Sequence, residues 1–225
     1  MKRYQRHIPL FSEEEFESIR QSKIAVAGCG GLGSTVLQLM SRIGVGTIHF
    51  WDDAHLDLPD LNRQILYKPD HIGKLKSEIA LKELKEINPE VNYIVHSERL
   101  NPKSEIPEVD LVLDCLDSFS SRLHLDTLFF AKGVPIIHGS IFQQIGQLTV
   151  LFPGKTNNYQ NTFGIENEPE EQSIKTVYPP TVTSIASLQV NEALKCITKR
   201  YDQLLLHKLL IINLADNTFE IIPIT

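Results

Sequence analysis

The sequence has 225 residues, a length that suits one α/β domain over residues 1–225, and 42% of them are hydrophobic, which is enough for a sizeable core. The formal net charge of −6 argues against a surface for nucleic acid or an anionic membrane, because phosphates are bound by clustered Lys and Arg. No apolar run approaches the roughly 20 residues of a membrane span and no signal peptide is recognisable, so we expect a cytoplasmic protein.

The N-terminal residues predict an arm followed by a short helix. Ser12 and Glu15 have the spacing of a capping box, which places the helix start directly after Ser12. The arm before it carries Arg3 and Arg6, and on the residues alone it indicates a solvated terminal segment.

An apolar run from Ile24 to Ala27 stops on a glycine cluster, and a helix-patterned segment over 32–43 follows. Gly28, Gly30 and Gly33 have the G-x-G-x-x-G spacing, which predicts a strand, a tight turn and a helix whose N-terminus faces a phosphate. A bound nucleotide is therefore the first hypothesis. The same spacing also occurs in dinucleotide dehydrogenases and in turns that hold no ligand.

The next predicted strand, 46–51, leads to Asp52, which lies about 20 residues after the glycine turn, where a carboxylate accepts hydrogen bonds from a ribose. Arg63 and Lys76 follow in a segment expected beside the phosphate loop. Lys76 also fits an ordinary surface charge on the helix that ends at Asn88-Pro89.

Residues 110–117 predict a buried parallel strand that ends on acidic residues. Ligands of open α/β sheets bind outside such strand ends, so Asp117 is well placed for a metal ion, while Asp114 fits a structural cap equally well. Strands over 136–142, 147–152, 206–214 and 219–224, with a helix from Pro179, complete a Rossmann-like, doubly wound, mostly parallel sheet with antiparallel C-terminal strands.

Residues 154–175 break this alternation, because Asn, Gln, Thr and Glu dominate them. Such a segment buries too little apolar surface to offset its ordering entropy, so we expect a mobile surface crossover loop. The three cysteines, Cys29, Cys115 and Cys196, are too far apart for a disulfide framework or a metal motif and indicate reduced packing residues.

Together these residues resemble the ThiF/MoeB/HesA family, bacterial relatives of the ubiquitin-activating enzymes, over nearly the whole chain. The family adenylates the C-terminal Gly-Gly carboxylate of a ubiquitin-like sulfur carrier such as ThiS or MoaD, using ATP and magnesium, and the resemblance implies the same activity here. The matching segments, in family order, are Arg3-Tyr-Gln-Arg6-His-Ile, Gly28-Cys-Gly-Gly-Leu-Gly33-Ser, Asp52, Leu61-Asn-Arg63-Gln64, Gly73-Lys-Leu-Lys76, Ile87-Asn-Pro89 and Leu113-Asp-Cys-Leu-Asp117.

The resemblance also implies roles for individual residues. Asp52 would hold the ribose, and Arg63 and Lys76 would clamp the phosphates. Asp117 would bind magnesium, and Arg6 would reach the triphosphate of the other subunit in a homodimer. The expected nucleotide-binding residues are Gly28, Gly30, Gly31, Gly33, Asp52, Asp60, Arg63, Gln64, Lys76, Asp117 and Ser118, and the expected catalytic residues are Arg6, Arg63, Lys76 and Asp117.

Four departures from the family pattern bear on these expectations. Asp60 replaces the usual Asn near the phosphates, where its charge either opposes them or assists a metal. Ser118 replaces the Asn that follows the magnesium ligand. Asn158 and Asn161 stand where many relatives have the first C-x-x-C pair of a zinc site, and the second pair is missing, so we expect no zinc. Ser173 stands in place of a reactive cysteine, so covalent sulfur handling is not expected.

Two other functions fit part of the pattern. A nicotinamide-dependent dehydrogenase accounts for the glycine turn and Asp52, but it leaves Arg63 and Lys76 without a role and requires a separate catalytic domain. A non-catalytic nucleotide-binding scaffold accounts for Asp60 and the missing cysteines. The presence of the four expected catalytic residues favours the adenylyltransferase.

Overall fold

The computed structural model describes residues 2–164 and 176–224 of the chain. The strands are β1 (Lys23–Ala27), β2 (Thr47–Trp51), β3 (Asn92–His96), β4 (Leu111–Asp114), β5 (Ile136–Phe142), β6 (Ile145–Leu151), β7 (Lys208–Asn213) and β8 (Thr218–Pro223). The α-helices are α1 (Glu13–Gln21), α2 (Gly31–Ile43), α3 (Lys76–Ile87), α4 (Phe119–Leu128), α5 (Tyr159–Phe163) and α6 (Pro179–Ile197). Of these, β3, α4 and α5 were not expected from the sequence.

All the strands belong to one eight-stranded sheet in the order β3-β2-β1-β4-β5-β6-β7-β8. Strands β1 to β5 pair in parallel, and β6, β7 and β8 continue the sheet in antiparallel pairs. The predicted doubly wound sheet with antiparallel C-terminal strands is therefore confirmed. The chain crosses the sheet between β3 and β4, so the strand order reverses at β1 and β4, and the carboxyl ends of these strands border a crevice.

The core has one layer on each face of the sheet, because alternate residues of a strand point to opposite faces. Ile24 and Val26 of β1 belong to the apolar cluster that includes residues of α2, α3 and α6. Ala25 and Ala27 belong to a smaller cluster with residues of α4 and with Tyr159 of α5. None of the helices in the described part of the chain is long and apolar enough to span a membrane.

Buried hydrogen bonds hold α6 to the sheet. Gln189 of α6 is fully buried, and its amide donates to the carbonyl oxygens of Asp114 and Ile137, at 2.8 and 3.1 Å. A Cβ at residue 139 would lie 2.5 Å from the Gln189 side chain, so Gly139 provides the space for that amide. The predicted capping box of Ser12 and Glu15 is present at the start of α1.

The three cysteines are free and buried, which confirms them as packing residues. Burial raises the pKa of the Cys29 and Cys115 thiols well above the ordinary value and raises the pKa of Cys196 to about 12. These thiols are therefore protonated at neutral pH.

The expectation of a surface loop over 154–175 is wrong for the first part of the segment. Residues 159–163 form α5, whose Tyr159 is fully buried, and Asn158 caps this helix by accepting a hydrogen bond from the Asn161 N–H at 3.0 Å. The buried Tyr159 and the partly buried Phe163 supply enough apolar contacts to order this helix, although the segment is polar in composition. Residues 165–175, including Ser173, lie outside the described residues.

The third glycine of the turn allows α2 to pack directly on the first glycine. A Cβ at Gly33 would lie 1.9 Å from the Gly28 carbonyl oxygen, whereas a Cβ at Gly30 would meet only the Gln64 amide, at 3.8 Å. The first contact involves rigid backbone, so the whole helix must move to relieve it.

We therefore expect Gly33→Ala to destabilise the protein by an amount at the upper end of the roughly 1–3 kcal/mol seen on overpacking. This loss should lower the melting temperature by several degrees in calorimetry. Gly30→Ala is the matched control and should change the melting temperature little. An equal loss in both variants would contradict the packing role of Gly33.

Candidate active site

The carboxyl ends of β1, β2 and β4 open on a cleft of about 1020 Å³. Most of the residues expected at a nucleotide site line this cleft, although they come from several separate elements. They are Gly28, Gly30, Gly31, Asp52, Asp60, Arg63, Gln64, Lys76 and Asp117. Gly33 and Ser118 are not among the lining residues: Gly33 packs beneath the turn, and the Ser118 hydroxyl caps α4 by accepting from the Ser121 N–H.

The glycine turn brings the N-terminus of α2 to the cleft. Gly28 has φ +97°, and a Cβ there would lie 2.8 Å from the Cys115 carbonyl oxygen, so this position requires glycine. Gly30 is the N-cap of α2, and a Cβ at Gly31 would lie 3.6 Å from the Arg63 side chain. The first N–H groups of an α-helix have no partner within the helix, and they carry the positive end of the helix dipole. At the start of α2 these groups are available to an anion in the cleft.

Asp52 follows β2 and ties the glycine turn to the next loop. One carboxylate oxygen accepts the Cys29 N–H at 2.7 Å, and the other accepts the Ala54 N–H at 2.9 Å. Burial raises the pKa of Asp52, and the two backbone N–H groups oppose that increase. Each carboxylate oxygen has a further lone pair, so Asp52 keeps acceptor capacity for the hydroxyl groups of a ribose.

Arg63 and Lys76 lie on either side of Asp60. The Lys76 ammonium is 3.0 Å from one oxygen of the Asp60 carboxylate, and the Arg63 guanidinium is 3.4 Å from the other. Lys76 is the first residue of α3 and is only 8% exposed, so it is not an ordinary surface charge. The structure thus brings the two expected phosphate-binding cations together in one cleft.

Asp117 follows β4 and lines the same cleft. A carboxylate is a ligand that Mg²⁺ prefers, and Mg²⁺ at phosphate sites commonly takes one or two protein carboxylates together with the phosphates and water. Within residues 2–164 and 176–224 there is no cluster of three or more His, Cys, Asp or Glu side chains that could hold a metal alone. A single carboxylate such as Asp117 fits an Mg²⁺ ion that is held jointly with phosphates and water.

A buried charged cluster beneath the cleft was not foreseen from the sequence. Asp114 is fully buried and lies 3.3 Å from the Arg122 guanidinium and 2.9 Å from the His138 ring, and it also hydrogen-bonds the Tyr159 hydroxyl. Burial alone would raise the pKa of Asp114, but Arg122, with His138 and Tyr159, holds it below its usual range. Asp114 also accepts the Leu116 N–H at 3.1 Å, so the structural interpretation of this residue is confirmed.

Arg122 is a further cation on the wall of the cleft. Its guanidinium donates to the Ser140 hydroxyl of β5 at 3.0 Å and to the Leu116 carbonyl, just after β4, at 2.7 Å, so it is held between the two strands. Its only sequence signal is its position, one turn into the helix that follows Asp117. Arg99 also lines the cleft and was likewise not predicted.

Trp51 forms an aromatic wall of the same cleft and stacks on His96 with ring centroids 4.1 Å apart. The His96 ring lies 3.3 Å from the His49 ring, nitrogen to nitrogen. Burial lowers the pKa of His49, of His96 and of the fully buried His138. Three neutral imidazoles are therefore packed near the site.

Arg6 does not line the cleft of its own chain. The arm that carries it packs at the far end of α2, about 18 Å from the glycine turn at 1.5 Å per residue. There a Cβ at Gly44 would lie 2.7 Å from the ring of Tyr4, and the His7 ring is 3.3 Å from the Ile43 carbonyl oxygen. Tyr4 is 1% exposed and its ring fills space beside α2, so the arm is docked on the fold at this residue, whereas Arg3 and Arg6 are exposed as expected.

The model of the ThiF family matches residues 4–225. The chain belongs to the ThiF family. It is 30% identical over 203 residues to the sulfur carrier protein ThiS adenylyltransferase of Escherichia coli, with 87% of this chain and 81% of that protein covered. It is 35% identical over 211 residues to the adenylyltransferase and sulfurtransferase UBA4 of Lodderomyces elongisporus, covering 89% of this chain and 46% of that protein. The ThiF-family chain thus spans about half the length of such fungal relatives.

Among solved structures, the crystal structure of Escherichia coli MccB with ATP has a TM-score of 0.84 and 23% sequence identity. The superposition covers 93% of this chain and 66% of that chain. At this identity the likeness shows that the two chains share a fold.

The buried histidine predicts a pH dependence of stability. The folded state lowers the pKa of His138, so below about pH 6.5 the unfolded state binds more protons and the free energy of unfolding falls. The lowered pKa of Asp114 changes the free energy of unfolding only at pH values below the ordinary carboxyl range. Asp114 therefore does not contribute to the pH dependence near pH 6.5.

We expect the melting temperature to fall between pH 7.5 and pH 5.5, and to fall less in His138→Gln than in the parent. His55→Gln changes an exposed histidine and should keep the parent's pH dependence. Thermal unfolding at both pH values measures this difference. An unchanged drop in His138→Gln would exclude His138 as its source.

Proposed function

We propose that this protein is an ATP-dependent adenylyltransferase that activates the C-terminal Gly-Gly carboxylate of a ubiquitin-like sulfur carrier and releases pyrophosphate. The observation that carries the proposal is the convergence of Asp52, Arg63, Lys76 and Asp117 on the cleft at the N-terminus of α2. Membership of the ThiF family and the relative named ThiS adenylyltransferase support the choice of substrate.

The chemistry requires neutralisation of charge more than it requires a base. A C-terminal carboxylate is ionised at neutral pH, so one of its oxygens attacks the α-phosphorus directly, and the bond from that phosphorus to the β-phosphate oxygen breaks. Lys76 and Arg63 would bind the phosphates and hold the reacting atoms in line. Mg²⁺ bound with the nucleotide at Asp117 would supply further positive charge for the leaving pyrophosphate.

Arg122 adds a residue to this scheme. Its guanidinium is held on the cleft wall by Asp114 and Ser140, so its position does not depend on a ligand. A fixed cation there would attract either the carrier's carboxylate or a phosphate oxygen, and it needs no reorganisation when the substrates bind.

The proposal includes a homodimer in which Arg6 completes the site of the other subunit. In one chain Arg6 is exposed at the end of α2 remote from the cleft, so any role at a nucleotide has to be played in a second chain. The crossover loop expected over 154–175 includes Ser173 and other residues that the structure does not describe, so its role toward the carrier stays a prediction. The cytoplasmic location and the absence of zinc and of nucleic-acid binding also stay predictions.

One observation weighs against a dehydrogenase, and one assay separates a scaffold from an enzyme. Lys76 and Arg63 both border the cleft, and a dehydrogenase that binds a nicotinamide cofactor gives them no role. A non-catalytic scaffold is distinguished by its lack of pyrophosphate exchange.

We expect exchange of labelled pyrophosphate into ATP, dependent on a carrier that ends in Gly-Gly. Lys76→Ala should lower the exchange rate by about 10²–10³, the usual cost of removing one preorganised charge contact. Asp117→Ala should act in the same direction. Lys74→Ala, which removes an exposed lysine two positions away, is the matched control and should exchange at nearly the parent rate. Parent-like exchange by Asp117→Ala with every carrier would refute the magnesium assignment.

Complementation tests the role of Arg6. Arg6→Ala chains and Asp117→Ala chains should each be inactive, but a mixture should regain about a quarter of the parent activity, since half of randomly formed dimers are mixed and each has one intact site. Arg6→Ala chains mixed with the Arg6→Ala/Asp117→Ala double variant should regain nothing. A parent that is fully active as a monomer at all concentrations would contradict the proposal.

A further inference from the structure

The two cations expected to hold phosphates are already paired with a carboxylate of the same chain. Asp60 lies between the Lys76 ammonium, at 3.0 Å, and the Arg63 guanidinium, at 3.4 Å. The Asp60 side chain is 14% exposed and the Lys76 side chain 10%, so water screens this pair only weakly.

Local hydrogen bonds fix the Asp60 carboxylate independently of the two cations. Asp60 lies in the 3-10 helix Leu58–Asn62, and one of its oxygens accepts the Asp57 N–H at 3.1 Å. The other oxygen accepts the Gln64 amide at 2.7 Å. The carboxylate is therefore built into the loop, and moving it away requires breaking the cap of this helix.

A phosphate in the cleft and the Asp60 carboxylate would both interact with the same two cations, Lys76 and Arg63. A phosphate oxygen placed against Lys76 and Arg63 comes close to a fixed negative charge, and like charges at such distances repel strongly in a poorly screened site. A divalent cation that travels with the phosphates offsets this repulsion, whereas a nucleotide without metal meets it in full.

We infer that Asp60 is a built-in counterion that makes the site select the nucleotide as its divalent-cation complex over the metal-free nucleotide. This inference rests on the proposed function, since it assumes that the cleft binds ATP. It assigns Asp60 a role in substrate selection that an uncharged amide at the same position does not fill.

Asp60→Asn tests the inference, because it removes the charge and keeps both the size of the side chain and an acceptor oxygen for the Asp57 N–H. Isothermal titration calorimetry gives the Kd of ATP in saturating Mg²⁺ and in EDTA. We expect Asp60→Asn to bind metal-free ATP about tenfold more tightly than the parent, equivalent to about 1.4 kcal/mol. The Kd in Mg²⁺ should change by less, so the preference for the metal complex shrinks.

Asp53→Asn is the matched control. Asp53 also lines the cleft, but it is exposed, and within residues 2–164 and 176–224 it forms no ion pair with Lys76 or Arg63. Asp53→Asn should therefore leave the preference for the metal complex close to that of the parent. Asp60→Ser replaces Asp60→Asn in the same titrations if the melting temperature shows that the first variant does not fold.

The outcomes separate the inference from the proposed function. If Asp60→Asn binds metal-free ATP no more tightly than the parent, or if Asp53→Asn gains as much, the counterion role is wrong. Loss of ATP binding in Mg²⁺ on Asp60→Asn would also overturn it, because Asp60 would then be a required ligand. If the parent itself binds no ATP in Mg²⁺, the proposed function fails first.

Discussion

The close approach of α2 to the ends of β1 and β4 is the constraint on which the site depends. It exists because residues 28 and 33 have no side chains, so that helix and strand meet at backbone distance. The same approach aims the N-terminus of α2 at the point where the strand order reverses. Asp52 then fixes the loop by accepting the Cys29 N–H. The glycine turn and Asp52 thus set the position of the helix end that faces the cleft.

The charges around the cleft form two groups. One group has Lys76 and Arg63 with Asp60 between them. The other has Arg122 held by the fully buried Asp114. Both groups place cations by pairing them with fixed carboxylates, which costs desolvation but removes the freedom of long side chains to move. The site is thus organised before any ligand enters it.

The sequence predicted the parts of the site that depend on local chain geometry. The glycine turn, Asp52 and the cations of the following loop belong to short segments whose spacing has a direct structural meaning. The cluster of Asp114, His138 and Tyr159 joins three separate segments through tertiary packing, so no spacing reveals it. Strand β3 was missed because its side chains are exposed or half-buried and give weak alternation.

Gln189 and Gly139 depend on each other through packing. The Gln189 amide occupies the volume that any side chain at position 139 would need, and it donates to the carbonyl oxygens of Asp114 in β4 and Ile137 in β5. A larger residue at 139 is compatible only with a smaller one at 189, and that exchange leaves the two carbonyls without their donor. The two positions therefore constrain each other's evolution, and among close homologues they are expected to vary together or not at all.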